Sequence, residues 1–532
     1  MFNDWLSSSH KISIVITAQI LVILLLVWDI QSQTMFSATQ ENSAPLLPYR
    51  LKSTVEMDLG NASIIFNMIH DLFDVKGSSI HPNGMSMVLA SLPKGTTLYH
   101  TSCNTTDLAS PEYYAFNYEV SYNFRPVRGS GMKKRDVDFG SGTTFNSVTP
   151  LCFGDRRLLS LKLTRDLNRL LLLDGNSAAK TTAGNMDSQL LLAGRNLSEI
   201  VNEEILAREI CEIYDIDGII RMEADFEVIL CNLQEYHIYS NVSLQYISET
   251  SGLSVSDTAT LLKLKNYEHL AVATRDHGFI PLEIDLLSLI TPINRQSFAI
   301  DAYKRRLLDS SPKLIRSMRQ EVHKALKMPK KDTKTPANDW KALIGRCMDK
   351  YTPFLLSLQN YTAAETNIAE FANRAYLLLG NHAIRYLDSS VEELDIRYKQ
   401  AIESAVDDLT IPIFPIHSDS EVLIHSALRV VVEHVVTFLF DTHRGLAMHK
   451  ETRNLTSFDL ASLHGRLSEI ITMLDWASFY RCEECSAGHV CMTPNWGPFP
   501  SYSTLRNAFY TDKEKVRRIS RDLACVSIED AW

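Results

Sequence analysis

The chain has 532 residues, 45% of them hydrophobic and 22% charged, which is the composition of a folded protein with two or three domains. A net charge of -10 argues against a nucleic-acid binder, which would normally show a basic face, and the short run "GMKKRDVD" among glycines fits a solvated loop.

From Ile12 to Trp28 no residue is charged, and the centre reads "ILVILLLVW". That length is at the short end of a bilayer-spanning helix and exceeds most signal-peptide cores. Lys11 precedes it, and Asp29 and Glu41 follow. The charge bias predicts a cytoplasmic tail at 1–11, an uncleaved membrane anchor at 12–28 and a lumenal or extracellular remainder. A cleaved signal is the rival, with its best site near Ser37 and Ala38. Asparagine sequons at Asn61, Asn104, Asn196, Asn241, Asn360 and Asn454 agree with a secretory route.

Residues 29–55 are polar and irregular, as in a stalk. "LGNASIIFNMIHDLFDV", Leu59 to Val75, has apolar residues at helical spacing. Extended patterns follow in "MSMVLASLP", "TTLYH" and the aromatic "EYYAF", the last leading into a helix. "RPVRGSGMKKRDVDFGSGTT" is a glycine-punctuated loop. Strands recur at "LLSLKLT" and "LNRLLLLDG". A helix at "SEIVNEEILAREICEIY" then precedes two strands, "DGIIRME" and "FEVILCNL", joined by a very short turn. Beyond about Pro292, long helical patterns dominate, including "VEELDIRYKQAIESAVDDL" and "SEVLIHSALRVVVEHVVTFLFDTH". One membrane segment is expected. The expected fold class is α+β: a β-rich domain at 56–292, a mainly helical domain at 293–475 and a cysteine-stapled tail at 476–532.

Nine cysteines include the C-terminal group Cys482, Cys485, Cys491 and Cys525. "CEEC" suggests zinc in a reducing compartment, but no second CxxC pair follows. In an oxidising lumen the expectation is two disulfides, with Cys482 or Cys485 joined to Cys491 or Cys525, and the odd total leaves at least one thiol unpaired or paired to another chain. No metal site is expected. His425 and His434 are nine residues apart in a helix, which is not metal-pair spacing. "DGNSAAKTTAG" lacks the spacing of a phosphate loop, although Lys180 could line a cleft.

Three motifs in order carry a resemblance: "LYH" ending at His100, "EYYAF" with Tyr113 and Tyr114, and "DGIIRMEADFEVILCNL" with Glu227. The set resembles the diphtheria-toxin-like ADP-ribosyltransferases, over about residues 85–235. That resemblance implies NAD as substrate. Glu227 would be the catalytic carboxylate that stabilises an oxocarbenium-like ribose, a charge present only in the transition state. His100 would hold a ribose or orient the nicotinamide, and Tyr113, or Tyr114 in the other register, would stack on it. Thr101 stands where that family has a glycine, which favours a catalytically inactive scaffold instead. Alternation in "FEVIL" also permits a plain structural role for Glu227, as for Glu223. Over most of the chain, "LYHT", "PEYYAF", "LLLLDGNSAAK", "DGIIRMEADFEVILC" and "CEECSAGHVC" resemble a group of fungal membrane or secreted proteins, a resemblance that implies no activity. The partners expected are membrane lipid around 12–28 and a protein bound by the helical domain, with no nucleic acid.

Overall fold

A computed structural model describes residues 55–102, 111–118, 121, 137–138, 144–145, 157–177, 186–199, 201, 203–222, 225–232, 236–243, 281–298, 305–328, 337–364, 368–416, 418–452, 459–482, 485–486, 489–492 and 524–527. The expected tail at 1–11, the anchor at 12–28 and nearly all of the stalk lie outside these. Residues 54–532 form one compact unit.

The unit opens with helix α1 (Leu59–Asp71), capped by the Asp58 side chain, which accepts from the Asn61 amide. The apolar period of the sequence runs on to Val75, but the helix does not. Phe73 takes a positive φ of 59°, and the Asp74 carboxylate caps a second helix, α2 (Val75–Ile80), by accepting from Gly77 N. A short polar residue that bonds the backbone two to three residues on competes with helix continuation.

A mixed sheet follows, built from β1 (Met87–Leu92), β2 (Thr97–Ser102), β3 (Glu112–Ala115), β6 (Arg157–Leu163), β7 (Leu167–Leu173), β8 (Gly218–Met222), β9 (Phe226–Leu230), β10 (Tyr236–Ser243) and β11 (Glu283–Ile290). Two-residue strands β4 (Val137–Asp138) and β5 (Thr144–Phe145) pair separately. The order in the large sheet is β10-β6-β2-β3-β9-β8-β7-β1-β11. Neighbours are antiparallel except β7 and β8, which the helices α3 (Asp187–Ala193) and α4 (Glu203–Tyr214) connect. A parallel pair needs such a crossover. Every residue of β8 and β9 is buried, so both faces of the sheet are covered there. On one face Phe73 packs on Phe116 and Phe226; from the other, Gln189 of α3 and Glu203 of α4 reach Arg221. Gly218 opens β8 where a Cβ would lie 2.4 Å from the Ile229 carbonyl oxygen, so the "DG" start of this strand requires glycine.

The helical region comprises α5 (Pro312–Lys327), α6 (Trp340–Ala364), α7 (Ile368–Ala383), α8 (Leu394–Thr410), α9 (Asp419–Thr452) and α10 (Leu460–Leu474). Among the described residues, α9 alone is long and apolar enough to cross a membrane, over Asp419–His449. Its Ile424, Leu428, Val431, Val435 and Leu439 are all buried, and it packs on α1, α7 and α8. Burial of that kind is what a central helix of a folded core shows. The observed class is α+β, a curled sheet followed by a helical region, and the apolar core runs from one into the other. A last hairpin, β12 (His489–Met492) with β13 (Ala524–Ser527), ends the described chain.

Candidate functional site

The strand register decides which of the expected site residues meet. Tyr99 of β2 stands opposite Ala115 of β3, Ala115 opposite Glu227 of β9, and Glu227 opposite Arg221 of β8. Side chains in one row across a sheet share a face, and successive residues alternate. Tyr99, Tyr113, Ala115, Glu227 and Arg221 therefore occupy one face. His100, Glu112, Tyr114 and Val228 occupy the other.

Contacts agree with this division. The His100 ring packs on the Tyr114 ring at 5.4 Å between centroids, and Tyr114 is 1% exposed. His100 Nδ1 donates to the Tyr113 carbonyl at 2.8 Å, which fixes the proton on that nitrogen, and Glu112 lies 4.0 Å away. Thr101, on the Tyr113 face, is buried with its hydroxyl 3.0 Å from that of Ser121. The structure thus brings Tyr114 to His100, and Tyr113 to Glu227. It does not bring His100 and Glu227 to one cleft.

Glu227 is instead a member of a buried ionic cluster. Arg221, 1% exposed, donates from Nε to Glu227 at 2.8 Å, from Nη1 to Gln189 at 3.0 Å and from Nη2 to Glu203 at 2.5 Å. Its guanidinium lies over the Tyr113 ring, 5.3 Å from the centroid. Burial raises the Tyr113 phenol well above its ordinary range, against the pull of the nearby Arg221 charge. Two carboxylates and one amide oxygen thus share a single guanidinium. Sequence reasoning singled out Glu227 and passed over Arg221, Gln189 and Glu203. The missed signal was in the hairpin: counting outward from the tight turn pairs Arg221 with Glu227, two opposite charges within two apolar strands.

A second polar knot joins α1 and α2 to the end of α10. Asp71 accepts from His81 Nδ1 at 2.6 Å and from His70 Nδ1 at 2.8 Å, and His81 Nε2 lies 3.4 Å from Asp475. The Tyr480 hydroxyl donates to Asp475 at 2.6 Å. Burial alone would lower the His81 pKa, but the Asp71 charge, the nearby Asp475 carboxylate and the bond to Asp71 push it up to about 9. In Asp74, burial and then the Asp71 charge push the carboxyl up to about 6. His81 is therefore a cation at neutral pH, shared by two carboxylates from opposite ends of the chain.

The remaining assignments fall as follows. Cys485 and Cys525 form a disulfide, as does a pair absent from the sequence expectations, Cys211 and Cys231; Cys482 is disulfide-bonded too. Cys491 stands opposite Cys525 in the β12–β13 register, and Cys347 is a buried free thiol. Asn196, Asn241 and Asn360 are exposed, whereas Asn61 is half-buried and donates to Asp58. Asn104, Asn454, Lys180 and Glu223 lie outside the described residues. His425 is buried with Nε2 3.0 Å from the Thr410 carbonyl, and the exposed His434 bonds Val430 O. Neither His425 nor His434 sits in a metal cluster among the described residues.

A curled sheet and a following helical region, each with its own family model, define the class. The first matches the YPL277C N-terminal domain over residues 51–149 and 146–266, and the second the YPL277C C-terminal domain over 339–453. The chain belongs to this family of yeast proteins. It is 28% identical over 561 residues to the uncharacterized protein YOR389W of Saccharomyces cerevisiae, covering 89% of each chain. To the uncharacterized protein YPL277C of the same yeast it is 29% identical over 385 residues, covering 59% of this chain and 78% of that one. No solved structure matches.

Proposed function

We propose that the protein is a non-catalytic interaction protein of the secretory pathway or cell surface, held to the membrane by Ile12–Trp28. Its sheet keeps a strand frame like that of the ADP-ribosyltransferases without their chemistry. The observation that carries this reading is the Arg221–Glu227 pair. A carboxylate that stabilises a ribosyl cation must face the ligand with its charge uncommitted. Glu227 is 8% exposed, bonded to an arginine, and on the sheet face opposite His100. The buried Thr101 hydroxyl supports it too, because a side chain stands where close backbone approach to NAD needs glycine.

The secretory part is supported by the disulfides Cys211–Cys231 and Cys485–Cys525, which persist in oxidising compartments, and by the exposed sequon residues Asn196, Asn241 and Asn360. A protein partner on the helical region is supported by Leu377 on α7 and Ile384 in the turn just past its end, 71% and 77% exposed.

The test is nicotinamide release from NAD by the purified full-length chain, with Glu227→Gln alongside. No turnover is expected from either protein, and a lower melting temperature from the variant. Turnover that Glu227→Gln abolishes while melting is unchanged would restore the enzyme reading, with Glu227 as its carboxylate and NAD as its substrate.

A further inference from the structure

We propose that Asn241 carries an N-linked glycan that shields the open edge strand β10 from pairing with the same strand of a second copy of this chain. The nine-stranded sheet has two edges, and they are finished differently. At one edge, β11 packs on helices α5 and α9, and the Ser420 hydroxyl donates to the Leu289 carbonyl at 3.3 Å. At the other, β10 pairs with β6 alone among the described residues. Along β10, His237, Tyr239, Asn241, Val242 and Ser243 are exposed, Tyr239 by 48% and Val242 by 52%.

An edge strand presents a row of unpaired backbone donors and acceptors, which folded chains blunt with short length, lysine, proline or a bulge. β10 is eight residues long, above the usual length of about five or six, and "YHIYSNVS" contains neither lysine nor proline. Its tyrosines, isoleucine and valine are residue types that favour strands. One irregularity, between Ile238 and Ser240, interrupts its ladder with β6. Past that point the strand carries a sequon, Asn241-Val242-Ser243. Arg157 donates from Nε to the Asn241 side-chain oxygen and from Nη2 to the Asn241 carbonyl at 3.3 Å. The amide is thus held by its oxygen, and its nitrogen, the atom that bears a glycan, is at the opposite end.

The co-reactant is a lipid-diphosphate-linked oligosaccharide. The Asn241 amide nitrogen attacks the anomeric carbon of its first sugar, forming a C–N bond, and the C–O bond to the diphosphate breaks. The lipid diphosphate leaves with that electron pair, and the amide gives up one proton. A bulky, hydrated glycan on the edge strand is incompatible with a second strand at the ladder spacing of about 4.8 Å. Without the glycan, a two-fold axis can bring β10 beside its own copy as an antiparallel, self-complementary pair. This inference rests on the secretory placement proposed above.

The full-length chain is expressed in a eukaryotic secretory pathway and purified in detergent as the parent, Ser243→Ala, and Ser243→Ala with Val242→Lys. Ser243→Ala removes the sequon but keeps Asn241 and its bond to Arg157. This variant should lose one glycan step in gel mobility, and light scattering after size exclusion should give at least about twice the parent's polypeptide mass. Lysine on the edge strand should return the mass to the parent's value. Native endoglycosidase treatment of the folded parent should produce the same association. Circular dichroism follows the fold, and if Ser243→Ala misfolds, the treated parent decides alone. Equal mobility of parent and Ser243→Ala, with both shifting on endoglycosidase treatment, overturns the proposal and leaves the secretory reading standing. No shift in either removes the secretory reading and this inference with it. A folded chain that has lost the Asn241 glycan by either route and keeps the parental mass overturns the proposal. Association that Val242→Lys leaves intact overturns it too, since the contact would then lie elsewhere.

Discussion

Replacing Arg221 by methionine separates a structural cluster from a catalytic one. In the parent, a guanidinium 1% exposed faces Glu227 at 2.8 Å and Glu203 at 2.5 Å. The gross attraction to Glu227 alone is about 6 kcal/mol at an effective dielectric near 20, most of it offset by desolvation. Arg221→Met keeps similar volume but leaves two largely buried carboxylates, 12% and 10% exposed, without their cation. Breaking a buried pair from one side costs about 3–5 kcal/mol, a large share of a typical total of 5–15. Glu227→Gln is milder, at about 1–3 kcal/mol, because Arg221 retains Glu203 and Gln189. Arg221→Met with Glu227→Leu should recover part of the loss, giving a favourable coupling in a double-mutant cycle.

The assay is denaturant unfolding at pH 7 of the parent, Arg221→Met, Glu227→Gln, Glu227→Leu and the Arg221→Met/Glu227→Leu double variant, the last two completing the cycle. A loss below about 1 kcal/mol for Arg221→Met, or no coupling in the cycle, would refute the argument that Glu227 is structural. It would return Glu227 to the list of groups held ready for a ligand.

The knot around His81 sets a pH dependence. A histidine whose folded pKa is raised from 6.5 to about 9 contributes stability that is complete below 6.5 and lost as pH rises through 9, at most about 3 kcal/mol here. Thermal scans from pH 6 to 10 should show that fall in the parent and not in His81→Gln; equal slopes would refute it. Asp74 acts with the same sign for a different reason. Its carboxyl is raised to about 6, so its contribution is full below the ordinary 3.8 and lost as pH rises through 6, and Asp74→Asn should flatten the stability profile between pH 4 and 7. The Cys211–Cys231 bridge closes a loop between residues 20 apart, so replacing both by serine should cost roughly 2–4 kcal/mol in denaturant unfolding; no change would show that the bridge is not formed. Endoglycosidase treatment of the secreted-pathway product should raise its gel mobility through Asn196, Asn241 or Asn360, and unchanged mobility would argue against a lumenal location.

The long elements were legible because one signal dominates each. The strands β8 and β9 are apolar runs bounded by a "DG" start and a tight turn, and α8 and α9 carry an uninterrupted helical period. α1 was legible in kind but not in length, because its apolar spacing continues past the point where Asp74 captures Gly77 N and starts a new helix. α3 (DSQLLLA) has only seven residues and no side-chain cap, too few for a period to show. β10 and β11 join opposite edges of the sheet, and β11 pairs with β1 across nearly two hundred residues, where no local pattern can announce the partner.

The site failed to assemble as expected for a reason that lies in parity rather than composition. Motif order places His100, Tyr113, Tyr114 and Glu227 on three strands that do become neighbours, β2, β3 and β9. Neighbouring strands fix proximity of backbones, but a shift of one residue moves a side chain to the opposite face. Tyr113 and Tyr114 show both outcomes within one dipeptide: the first lies under Arg221, the second against His100. Of the two registers left open by the sequence, each tyrosine satisfies one, and neither gathers all three roles. The charge of Glu227 was then available to whichever cation shared its face, and Arg221, directly opposite in the hairpin, was the nearest. A motif read along the chain identifies strands; only the pairing of Ala115 with Glu227 and of Tyr99 with Ala115 tells which side chains can act together.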